Sequence, residues 1–214
     1  MIISHQYKLV FFSNPKTGSE SIRKFLSPIS EERIVVFRRV TEEHPFYSHI
    51  TPLETKNVFE KRGWGFDGYN RLVFTRNPFS RVLSLFKMMT RGHSFDVELF
   101  NRWVSTIDNK GAGGGGNDLD RWLKYGTYSI YNFISDSQGV PLTTRIIRLE
   151  DIETDLLKYL AEIGIPRFIT DQPIPYINHS AAKEVNPLKK YSDQNINHMM
   201  KLYGKEIEEF GYKI

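Results

Sequence analysis

The chain has 214 residues, 40% of them hydrophobic, so it can bury a sizeable core, and a single domain spanning residues 1–214 is the expectation. Its formal charge of +4 and pI near 9.1 suit an anionic ligand but fall short of a nucleic-acid-binding tail, and the absence of cysteine excludes a disulfide framework and a thiolate metal site. The start, MIISHQYKLVFF, lacks the architecture of a signal peptide and nowhere do about 18 uncharged apolar residues run together, so a chain without a membrane span, working in the cytoplasm, is expected.

In chain order, the continuous apolar run Leu9–Phe12 within Tyr7–Ser13 predicts a buried strand that stops at Asn14-Pro15. A helix should follow, capped by Thr17 or Ser19, with Ile22, Phe25 and Leu26 as its apolar stripe. Ile34–Phe37 reads as a second strand and Pro52–Lys61 as a helix. Arg71–Thr75 is a clearer strand, and it ends at Arg76-Asn77-Pro78, where proline suits the first turn of a long helix buried through Val82, Leu83, Leu85, Phe86 and Met89. Further helices are expected at Phe95–Ile107, Ile152–Ile163 and Tyr191–Phe210, with a strand at Thr144–Leu149 and a glycine-rich surface loop over Gly111–Gly116. Strands alternating with helices predict an α/β fold with a mainly parallel sheet covered on both faces.

Two turns carry chemistry. Pro15-Lys16-Thr17-Gly18-Ser19 joins a strand to a helix, where outward backbone N–H groups with partial positive charge can wrap an anionic oxygen cluster. Lys16 adds a full charge, and Thr17, Ser19 and Ser21 offer hydroxyls. An ordinary turn with a surface lysine would look the same. The second turn supplies Arg76 and, eight positions on, Ser84, which could bracket one phosphate, with Arg81 a candidate for the same side. Two anion grips imply a ligand negatively charged at both ends.

These stretches resemble the sulfotransferases. Pro15-Lys16-Thr17-Gly18-Ser19-Glu20-Ser21 is similar to their 5′-phosphosulfate loop, and Arg76-Asn77-Pro78-Phe79-Ser80-Arg81-Val82-Leu83-Ser84 is similar to their 3′-phosphate motif R-[DN]-P-x-x-R-x-x-S. Tyr131–Ile134, Arg148–Ile152, Ile177–Ser180 and Phe210–Tyr212 extend the likeness to the carbohydrate-type branch. The resemblance implies a P-loop-like three-layer α/β fold and the donor 3′-phosphoadenosine 5′-phosphosulfate (PAPS), with adenosine 3′,5′-bisphosphate (PAP) as product and no metal. It further implies that Lys16 meets the bridging oxygen and 5′-phosphate, that Thr17, Gly18, Ser19, Glu20 and Ser21 line the loop mainly through backbone, and that Arg76 and Ser84 hold the 3′-phosphate. Asn77 stands where many members carry Asp. Glu20 stands where small or hydroxyl residues are frequent, and an acid beside a polyanion should point away.

An acceptor hydroxyl must lose its proton as it attacks sulfur, and imidazole titrates in the right range. His49, where relatives carry a histidine before a helix, is the first candidate base; His44 and Glu54 are alternatives, and His179 and Lys183 are candidates for substrate or nucleotide contact. Trp64, Phe66, Trp103, Trp122, Tyr125 and Tyr128 are candidates for an acceptor cleft. The acceptor expected is a hydroxyl, or an amine, on a glycan, glycolipid or small metabolite. Two rivals remain: a non-enzymatic binder of nucleotides or sulfated ligands, and a nucleoside-triphosphate kinase. Against the kinase, Lys16 precedes Gly18 and the Leu72–Thr75 strand ends in Arg76 where a metal-holding carboxylate is usual.

Overall fold

The computed structural model describes residues 1–109, 126–177 and 186–214. The Gly111–Gly116 loop, Trp122, Tyr125, His179 and Lys183 lie outside the described residues. The chain divides into two compact units, Met1–Thr75 with Ile134–Asn178, and Arg76–Phe133 with His179–Ile214.

The first unit holds a four-stranded sheet in the order β1 (Ile2–Ser4), β2 (Leu9–Phe12), β3 (Asn70–Thr75), β4 (Arg145–Arg148). Strands β2, β3 and β4 run parallel, with Phe11 opposite Leu72 and Phe74 opposite Ile147; β1 is antiparallel on the β2 edge. All four residues of β2 are buried, as its unbroken apolar run requires of a strand covered on both faces. One face, through Leu9, Phe11, Leu72, Phe74 and Ile147, packs on Ile22, Phe25 and Leu26 of α1 (Ser19–Leu26) and on Leu156, Tyr159 and Leu160 of a later helix, Ile152–Glu162.

The strand expected at Ile34–Phe37 is absent. Val35 makes an isolated bridge to Tyr47, and Phe37–Arg39 winds into a 3₁₀ turn with Val36 and Phe37 exposed. The place beside β2 is taken by β1, which pairs through Ile2, Ile3 and Ser4 and leaves no edge there for a second strand. α2 (Pro52–Lys61) has the predicted limits: Thr51 and Glu54 form a reciprocal capping box and proline opens the helix.

The second unit is helical in its described residues. α3 (Pro78–Met89), α4 (Val97–Val104) and the long C-terminal helix Asp193–Glu209 bury Phe79, Val82, Phe86, Phe100, Val104, Met199, Tyr203 and Ile207 together. Asn77 caps α3, its side-chain oxygen accepting from Phe79 N–H at 3.0 Å and Ser80 N–H at 3.4 Å. Asparagine and aspartate cap equally well, which accounts for Asn77 in a motif where aspartate is frequent. The fold is thus α/β with a mostly parallel sheet, as expected. No helix among the described residues is long and apolar enough to cross a membrane.

Candidate active site

The β2–α1 turn is built from unusual backbone. Lys16 has φ +63° and Gly18, the residue before α1, has φ +73°, both in the left-handed region. Glycine suits position 18 for its φ, and a Cβ there would sit 2.6 Å from Leu149 Cδ1, so the tip of that side chain would have to shift. Thr17, fully buried, donates its hydroxyl to Asn14 O at 2.8 Å and so ties the turn to its own start; its proton is spent inside the loop, not offered outward. Neither Thr17 nor Ser19 caps α1. The cap position is Gly18, which supplies no side-chain cap, and this suits the amides of that turn to an external anion. Ser21 Oγ accepts from Ile177 N–H at 3.0 Å, and Glu20 is exposed.

Two buried polar atoms at this turn, Ser13 Oγ and Asn14 Oδ1, have no hydrogen-bond partner among the described residues. Orphaned polar atoms are costly unless water or a ligand meets them. A left-handed cradle, a helix start with no side-chain cap, one lysine and the orphaned Ser13 hydroxyl together fit an anionic donor group.

His49 comes to the same turn. Its Nδ1 donates to Ser13 O at 2.7 Å, which fixes the neutral ring with its lone pair on Nε2. Burial pushes the imidazole down to about 4, against the opposing pull of the Ser13 carbonyl; the positive charges of the Met1 amine, Arg23 and Lys16 lower it further. The ring is therefore uncharged at neutral pH. His49 is held from behind as well: Ser48 Oγ accepts from Arg23 NH1 at 2.6 Å and Ser48 O from the Met1 amine at 2.9 Å.

The two alternative candidates have other partners. His44 sits in an exposed turn, its Nε2 3.4 Å from Arg33 and its amide on Thr41. Glu54 closes the α2 capping box, accepting from Thr51 N and Oγ1 and from the Tyr47 hydroxyl at 2.7 Å. Trp64 and Phe66 both meet Phe59 edge to face, with centroids 5.2 and 5.6 Å away, and Arg62 lies over the Trp64 ring.

In the second unit Arg76, directly after β3, and Ser84, on α3, are half-buried. Arg81 does not join them. It is fully buried, with NH1 donating to Tyr128 O at 2.5 Å, NH2 3.7 Å from Glu206 Oε2 and its guanidinium over the Tyr203 ring. This arginine organises the helical core. Trp103 packs among Phe86 and Phe100 in that core, and the Tyr128 carbonyl is taken by Arg81. The roles of Ser13, Ser48 and Arg23 had no motif or spacing to reveal them; they emerge only from contacts between segments 25 to 36 residues apart.

No curated protein matches the chain. Among solved structures, mouse sulfotransferase SULT7A1 complexed with PAP aligns at 11% identity and a TM-score of 0.47, covering 96% of this chain and 86% of that one. A family model described as "Sulfotransferase family" matches residues 1–213. Since that match runs nearly end to end, through both turns, the chain belongs to the sulfotransferase family.

Proposed function

We propose that the enzyme sulfates a hydroxyl on a glycan, glycolipid or small metabolite, with His49 as general base and Lys16 as the charge that meets the leaving phosphate. The observation that carries this reading is the His49–Ser13 hydrogen bond, which ties the imidazole to the strand end that opens into the Lys16–Gly18 turn. PAPS supplies an activated sulfuryl group on its 5′-phosphate. Lys16 and the amides at the start of α1 bind and orient that end, while Arg76 and Ser84 take the 3′-phosphate, as their places in the motif imply. His49 Nε2 accepts the acceptor proton as the new O–S bond forms and the bridging bond from sulfur to the phosphate oxygen breaks. Lys16 neutralises the charge left on that oxygen. Positioning and charge stabilisation are the main contributions asked of the protein.

A donor-dependent sulfation screen over saccharides and small hydroxylated metabolites tests this reading, run with wild type and His49→Ala. Sulfation by the wild type and its near-complete loss in the variant are expected. Undiminished turnover in His49→Ala would remove the residue from the chemistry.

A further inference from the structure

Arg23 lies one helical turn beyond the Lys16–Gly18 cradle, about 6 Å along α1 from Ser19 at 1.5 Å per residue. Its side chain is half-buried, and its one hydrogen bond among the described residues is to a neutral group, Ser48 Oγ. Its Nε is buried without a partner. Among the described residues no carboxylate forms an ion pair with it: Glu20, one turn earlier, acts only through space, opposing the burial that lowers the Arg23 pKa. Arg23 lowers the pKa of the Met1 amine, and Arg23 and Lys16 both act on His49 as positive charges, so the neighbourhood adds positive charge where a buried guanidinium calls for negative. Removing a cation from water without a counter-charge is unfavourable, and a bidentate carboxylate is the planar match for a guanidinium.

We infer that Arg23 is an acceptor-binding residue, and that the acceptor is an anion carrying a carboxylate close to the hydroxyl to be sulfated, as in a hexuronate or a small hydroxy acid. The inference rests on the assignment of His49 as the acceptor-side base, because Arg23 grips Ser48, the residue next to it. The donor's 5′ anion already has the cradle and Lys16, so a further anion is assigned to the acceptor. A substrate carboxylate on Arg23 places the rest of that molecule beside His49, and a cationic amine acceptor is repelled by the same charges.

The test uses matched probes, methyl glucuronide and methyl glucoside, titrated calorimetrically into enzyme saturated with PAP. The wild type should bind the glucuronide at least tenfold more tightly. Arg23→Gln should abolish that preference while changing PAP affinity less than twofold, and Arg23→Lys, which keeps the charge and guards against a variant that misfolds, should retain part of it. Equal or undetectable binding of both probes to the wild type overturns the inference, as does a preference that survives Arg23→Gln. A tenfold loss of PAP affinity in Arg23→Gln also overturns it, by assigning the missing anion to the donor. Because the readout is binding, it stands apart from turnover: loss of the His49 assignment would appear in the sulfation screen and leave the probe preference intact.

Discussion

His49 donates its Nδ1 proton to the carbonyl of Ser13 at 2.7 Å, and Ser13 is the residue with which strand β2 leaves the sheet for the Lys16–Gly18 turn. The group proposed to take the acceptor proton is thereby oriented by the same few residues proposed to hold the donor. A shift in that turn would move both.

His49→Ala should lower turnover about a hundredfold or more, the usual loss for a general base. PAP affinity, measured by calorimetry, should change little. Because burial holds the imidazole at about 4, the acid limb of kcat/KM, which reports the free enzyme, should fall well below the ordinary histidine value. The limb for kcat should lie higher, since a bound anionic donor offsets the Lys16 charge.

The same depressed value has a stability consequence with a definite sign. The unfolded chain takes a proton on His49 near pH 6.5 and the folded chain only near 4, so stability contributed at neutral pH is lost as pH falls through that window. The loss should reach at most about 3 kcal/mol by linkage. Denaturant midpoints at pH 7 and pH 4.5 should converge less for wild type than for His49→Gln, whose side chain does not titrate.

Gly18→Ala should damage donor binding through the backbone. An alanine at φ +73° costs about 1 kcal/mol or more, and its Cβ meets Leu149. PAP affinity should drop at least tenfold. Leu149→Ala in the same chain should recover only part of it, because it frees space without changing φ; full recovery would show that crowding alone required the glycine.

Arg76→Ala should weaken PAP binding by a few kcal/mol, the scale of a partly desolvated charge-assisted contact. It should leave adenosine 5′-monophosphate binding nearly unaffected. In wild type, PAP should raise the melting temperature far more than the monophosphate does. Equal shifts would remove the second anion grip.

Arg81→Met should lower stability by roughly 3–5 kcal/mol, the usual result of stripping one partner from a buried ion pair, here leaving Glu206 alone in the helical core. Arg81→Met combined with Glu206→Leu should be more stable than either single change. Chemical denaturation of the three variants measures this directly.

The elements with unbroken local signals were legible in the sequence. The apolar runs of β2 and β3, the proline starts of α2 and α3 and the Lys16–Gly18 and Arg76–Ser84 spacings are properties of neighbouring residues, and the motifs they form were enough to indicate the family. Other features depended on which distant segments meet. Ile34–Phe37 has strand composition, but β1 holds the edge it would have needed. Arg81 sits in the middle of a binding motif, yet Glu206 and the Tyr128 carbonyl draw it into the core. The Ser13 carbonyl that holds the His49 ring lies 36 residues away from it, so no local pattern revealed that contact. A sequence specifies which groups are available and their local conformation; desolvation and charge neighbours, which set what each group does, exist only once the chain has folded.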